Sequence, residues 1–184
     1  MRAIEILMEE HRVIERVMSA LETAANRLAQ GEPEPPLFFV KAAEFVKGFA
    51  DGCHHRKEEG ILFPAMQAAG VPREGGPVGI MVAEHEEGRR LTRAMQAAAE
   101  KLEAGDIASR GEVVQYARAY VTLLRQHIAK EDKVLFPMAE KVIPGGKKPE
   151  LAEAFDRVEH EEIGAEVYRR YYAMADRLEK EAGN

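Results

Sequence analysis

Apolar residues recur along most of the chain at alternating steps of three and four. Ile4, Leu7, Ile14, Met18, Leu21 and Leu28 form one such row. That spacing marks one face of an amphipathic helix. No segment keeps the two-residue alternation of a strand. Four clusters rich in Gly and Pro interrupt the pattern: GEPEPP (31–36), GVPREGGP (70–77), GDIASRG (105–111) and PGGKKP (144–149). Gly and Pro end helices and favour turns, so the pattern predicts helices near 2–30, 37–69, 78–104, 110–142 and 149–182. Short links between long helices make antiparallel neighbours. The expected fold class is all-α. We expect an up-down-up-down four-helix bundle over 1–142 and an additional C-terminal fifth helix over 149–182, in a single domain over 1–184.

The chain also repeats itself. Residues 54–66 read HHRKEEGILFPAM, and residues 127–138 read HIAKEDKVLFPM. Aligned on Leu-Phe-Pro, His54 falls on His127 and Glu58 on Glu131, an offset of 73. His11 and His85 lie 74 apart, as do LAQGE (28–32) and LEAGD (102–106). Helices one and two therefore read as a hairpin duplicated in helices three and four, with equivalent residues meeting near a pseudo-two-fold axis.

Polar residues interrupt the apolar rows at matching places. His11 sits in the row of Ile4, Leu7, Ile14 and Met18, and His85 shares a face with Val78, Met81, Gly88, Thr92 and Met95. His127 and Glu131 interrupt a row that includes Tyr116, Tyr120, Leu123, Val134 and Met138. On helix two the 100° period puts His54 at the edge of the apolar arc of Phe39, Ala43, Val46, Ala50 and Cys53, and favours Glu58 over Glu59. The same rotation carries His55 and Glu59 away from that arc, and we read them as a solvated pair. His and Glu four residues apart stack on one helix face. A buried carboxylate is costly unless it is paired or binds a cation. Two such pairs facing each other, with two further histidines, suit a dinuclear metal site.

Composition narrows the partners. The 184 residues hold 26 Lys and Arg against 32 Asp and Glu, a net charge of −6. An acidic chain without a basic cluster is a poor partner for nucleic acid or an anionic membrane. No apolar run reaches the ~20 residues that cross a bilayer. The N-terminal segment carries Glu throughout and does not read as a signal peptide. Cys53 is the sole cysteine, so no internal disulfide forms, and a reducing cytoplasm is the expected address.

The arrangement resembles the hemerythrin-like, or HHE cation-binding, family. Its signature is a lone His on helix one, His-x-x-x-Glu on helix two, a lone His on helix three and His-x-x-x-Glu on helix four. Here these are His11, His54 with Glu58, His85, and His127 with Glu131. The resemblance covers about residues 1–142. It implies two iron ions, with His11 and His54 on one and His85 and His127 on the other. Glu58 and Glu131 would bridge them beside an oxo or hydroxo group, leaving room for a small diatomic or peroxide ligand. The invertebrate oxygen carriers have a second His four residues after the helix-three ligand, where this chain has Arg89. The chain therefore resembles the bacterial variant, and reversible oxygen transport does not carry over. Oxygen or nitric-oxide binding, iron handling, an enzyme acting on peroxide or nitric oxide, and repair of iron centres all remain open. A metal-free helical interaction protein is the rival outside metal chemistry.

The remaining polar residues read as structural. His160, on a row with Ile163, Val167 and Tyr171, is expected to meet solvent rather than add a ligand. Tyr116 and Tyr120 read as core residues with hydroxyls at the rim. Cys53 reads as an inert buried thiol. Pro64 and Pro137 are expected to kink or end their helices. The Glu-Glu runs at 9–10, 58–59, 86–87 and 161–162 read mostly as exposed faces.

Overall fold

The computed structural model describes residues 1–183. Among them the regular structure is entirely helical. Helix α1 is Arg2–Ala29. Helix α2 runs over 36–68, starting at Pro36, whose fixed φ suits a first turn. Helix α3 is Pro77–Glu103, and α4 runs over 110–142. Helix α1 packs on α4, α4 on α3, α3 on α2 and α2 on α1, which closes a four-helix ring.

The C-terminal segment is two helices rather than one. Helix α5 runs over 148–163, and α6 is Ala165–Glu181. Gly164 separates them at φ +92, a left-handed conformation that glycine adopts without strain. Both helices lie outside the ring and pack on α1 and α2. The approach of α6 needs Gly48 on α2. A Cβ there would stand 1.8 Å from the Tyr171 hydroxyl oxygen, so a side chain would displace that ring.

Helices α2 and α4 do not stay α-helical throughout. Val46–His55, Glu58–Leu62 and Glu131–Leu135 are π-helical, with bonds from residue i to i+5. The latter two segments end just before Pro64 and Pro137. Proline offers no N–H to the preceding turn, so that turn re-bonds at wider spacing. Both helices then continue as Phe63–Ala68 and Phe136–Val142. Neither proline terminates its helix.

The core is layered. One apolar cluster contains Val17, Leu21, Phe39, Phe49, Met95 and Val121. A second contains Leu7, Leu62, Phe63, Met81, Leu135 and Phe136. Along every helix of the ring the predicted histidines fall between the two. A polar layer thus lies inside the bundle, closed above and below by hydrocarbon.

Candidate metal centre

All six residues singled out by the sequence reach that layer. His11, His54, Glu58, His85, His127 and Glu131 are each at most 2% exposed. Two groups of donor atoms lie within 4.8 Å of one another: His11, His54, Glu58 and Glu131, and His55, Glu58, His85 and His127. The carboxylates stand between them. Glu131 puts one oxygen 3.2 Å from His11 Nε2 and the other 3.1 Å from His127 Nε2. Glu58 puts one oxygen 3.5 Å from His54 Nε2 and the other 3.5 Å from His85 Nε2. Each carboxylate therefore offers one oxygen to each group.

His55 corrects the sequence reading. It is 4% exposed rather than solvated, and it belongs to the second donor group. The assumed 100° rotation per residue holds for an α-helix. Over Val46–His55 the turn is wider, so successive residues rotate less and both His54 and His55 point inward. Glu59 is not its solvated partner either: it accepts from His85 Nδ1 at 2.7 Å.

A second layer of carboxylates orients the imidazoles. His11 Nδ1 meets Asp132 at 2.7 Å, His54 Nδ1 meets Glu10 at 3.0 Å, His55 Nδ1 meets Asp51 at 2.8 Å, and His127 Nδ1 meets Glu84 at 2.9 Å. An ionised carboxylate can only accept, so each Nδ1 carries a proton. In a neutral ring this leaves the Nε2 lone pair free to bind a cation. These carboxylates are held in turn by cations. Arg12 pairs with Asp132, Lys57 with Glu10, Lys130 with Glu84, and Arg89 with both Asp51 and Glu59. Glu10 is 2% exposed, against its reading as a surface residue. Its signal lay in the repeat: Glu10 and Glu84 are 74 apart, and Lys57 and Lys130 are 73 apart.

The layer is electrostatically unfinished. His11 Nε2, His54 Nε2 and both oxygens of Glu58 and Glu131 are buried with no hydrogen-bond partner among the described residues. Such groups are rare in proteins and call for an explanation. Burial, and then the charge of Glu131, pushes Glu58 well above the usual carboxylate range. Burial would do the same to Glu131, but His127 and His11 outweigh it and hold Glu131 well below. Burial drives His54 down to about 3 despite Glu10. Burial also opposes charge on His127, yet Glu131 and Glu84 raise it to about 9. Cations supplied between these groups would satisfy the orphaned atoms. The donor set fits a metal.

Other expectations are settled by position. His160 is exposed and outside both groups. Cys53 is buried, and burial pushes its thiol up to about 11, which leaves it unreactive. Tyr120 is 1% exposed, and its hydroxyl is buried without a hydrogen-bond partner among the described residues rather than at the rim. It lines a cavity of about 10 Å³ together with His55, His85, Gly88 and His127. That is about the room one water needs.

No helix among the described residues is long and apolar enough to cross a membrane. No solved structure matches the chain. Curated proteins described as uncharacterized, from Mycobacterium bovis and from Mycobacterium tuberculosis, are 28% identical to it over 181 residues, covering 98% of this chain and 70% of theirs. The profile of the hemerythrin HHE cation-binding domain matches residues 2–139, the span that supplies every buried His and Glu of the central layer, and the chain belongs to that family.

Proposed function

We propose that this chain holds two iron ions at a carboxylate-bridged centre and binds a small ligand there, such as oxygen, nitric oxide or peroxide. One observation carries the reading. Glu58 and Glu131 each turn one orphaned oxygen toward an imidazole of each donor group. A single cation would leave half of those oxygens unused. The imidazole-and-carboxylate mixture suits iron. His11 and His54 would hold one ion, His85 and His127 the other, with Glu58 and Glu131 between them. The iron pair would supply ligand binding and electrons. The protein supplies orientation through the Nδ1 carboxylates and shields the site from bulk water. With site residues so deeply buried, only a small guest fits.

Elemental analysis tests this directly. The purified protein is expected to contain about two irons per chain, and His127→Ala to lose iron. Near-zero iron in well-folded wild-type protein would sink the proposal. Loading displaces protons from His11 and His127, so iron affinity should rise with pH up to about 9, where His127 releases its proton.

An enzymatic reading is favoured by one further observation. The buried Tyr120 hydroxyl has no hydrogen-bond partner among the described residues and lines the cavity beside His85 and His127, where it offers a hydrogen-bond donor to a small guest. Turnover of hydrogen peroxide or nitric oxide that falls at least tenfold in Tyr120→Phe, with iron content unchanged, would establish that reading. Stable adducts without turnover would establish binding alone.

A further inference from the structure

His55 stands where the internal repeat provides no counterpart for it. At the offset of 73, Asp51 corresponds to Leu124 and His55 to Ile128; at the offset of 74, Arg89 corresponds to Glu15. Three chemically different residues on one half thus replace two aliphatic residues and a carboxylate on the other. Those three residues are connected. His55 Nδ1 donates to Asp51 Oδ1 at 2.8 Å. Arg89 Nε donates to the same oxygen at 3.2 Å, and its Nη2 donates to Glu59 at 2.7 Å. Asp51 therefore treats His55 as Asp132, Glu10, Glu59 and Glu84 treat the other four central imidazoles.

Packing gives no reason for an imidazole here, since Ile128 fills the equivalent place in the other half. Burying an extra polar ring, an extra carboxylate and part of a guanidinium is costly unless the ring has something to bind. Its position shows what that is. A ring nitrogen of His55 lies within 4.8 Å of donor atoms of Glu58, His85 and His127. Asp51 occupies Nδ1, which leaves Nε2 as the donor. The ring stacks on His85 with centroids 3.7 Å apart and planes 16° from parallel, so the two imidazoles run side by side.

We infer that His55 is a third imidazole ligand to the cation held by His85 and His127, which makes the two metal positions unequal. This rests on the dinuclear reading above. One cation then has three imidazoles and the other two, His11 and His54.

The test titrates metal-free protein with cobalt(II) and follows absorption and metal content. Wild type is expected to bind two equivalents in two resolved steps. His55→Gln should weaken one step tenfold or more and leave the other within about twofold, with helix content unchanged. Asp51→Asn should weaken the same step by about 10–100-fold, the usual cost of removing a group that orients a ligand. It also carries the test if His55→Gln fails to fold. With ⁵⁷Fe bound, wild type should give two Mössbauer doublets, and His55→Gln doublets that converge as the ligand sets become alike. Unchanged cobalt steps in both variants, or equal loss from both steps with the fold kept, would overturn the assignment while leaving the metal pair intact. Wild type that binds neither cobalt nor iron would remove the dinuclear reading itself, and this inference with it.

Discussion

Lys57 donates to Glu10, which orients His54; Lys130 donates to Glu84, which orients His127. The two sets correspond residue for residue through the repeat. Yet the Lys57 side chain is 0% exposed and the Lys130 side chain 41%. The cause lies outside the repeat. Helices α5 and α6 place the Phe155 and Tyr168 rings 5.7 and 5.3 Å from the Lys57 ammonium and cover the first half alone. The same residues at equivalent positions therefore do different energetic work. A covered ion pair is critical once formed, because loss of one partner strands a charge in hydrocarbon. An exposed pair exchanges with water and contributes little.

The bridging carboxylates differ in the same way. Glu58 and Glu131 are equivalent by sequence, but two carboxylates this close cannot both stay ionised easily. In the metal-free protein Glu131 keeps its charge beside His127 and His11, while burial and Glu131 together make Glu58 hold its proton. Duplication supplied two like groups, and their surroundings separated them.

The comparison can be broken by mutation, starting from the largest effect. Lys57→Ala should destabilise the protein by about 3–5 kcal/mol, read from the urea midpoint, because Glu10 is left buried without its cation. If it matched Lys130→Ala, coverage by α5 and α6 would have no energetic meaning. Next come the carboxylates in metal-free protein. Glu131→Gln should lower the melting temperature at pH 7, since it removes the charge that His11 and His127 lean on. Glu58→Gln should raise it. The sign follows from the raised folded pKa: the stability Glu58 contributes is full below about pH 4.5 and is lost as pH rises through its folded value. The advantage of Glu58→Gln should therefore grow between pH 5 and pH 8, and a flat difference would refute the assignment. Both variants should lose metal. Gly48→Ala should cost about 1–3 kcal/mol by driving Tyr171 off α2, within the range for overpacked cores. Lys130→Ala should cost at most about 1 kcal/mol.

Much of this was legible in the sequence. Apolar rows and Gly-Pro breaks gave the four bundle helices, and His and Glu inside apolar rows marked the six residues that meet in the polar layer. The break at Gly164 was not read, because a lone glycine among helix formers does not by itself mark a helix end. His55 was not readable by periodicity, because its inward turn depends on π-helical bonding that shifts the phase along α2. The burial of Lys57 was not readable either: HHRKEE looks like a solvated face until Phe155 and Tyr168, about 100 residues later in the chain, fold over it.

The sequence by itself determined the four bundle helices, the duplicated hairpin and which side chains break the apolar stripes, because these depend on local spacing and residue type. Tertiary structure alone decided which equivalent residues become unequal: which lysine is sealed, which carboxylate stays charged, and which neighbour of His54 turns inward. Those outcomes depend on what packs against a residue from distant parts of the chain, and burial and charge act through space rather than along the backbone.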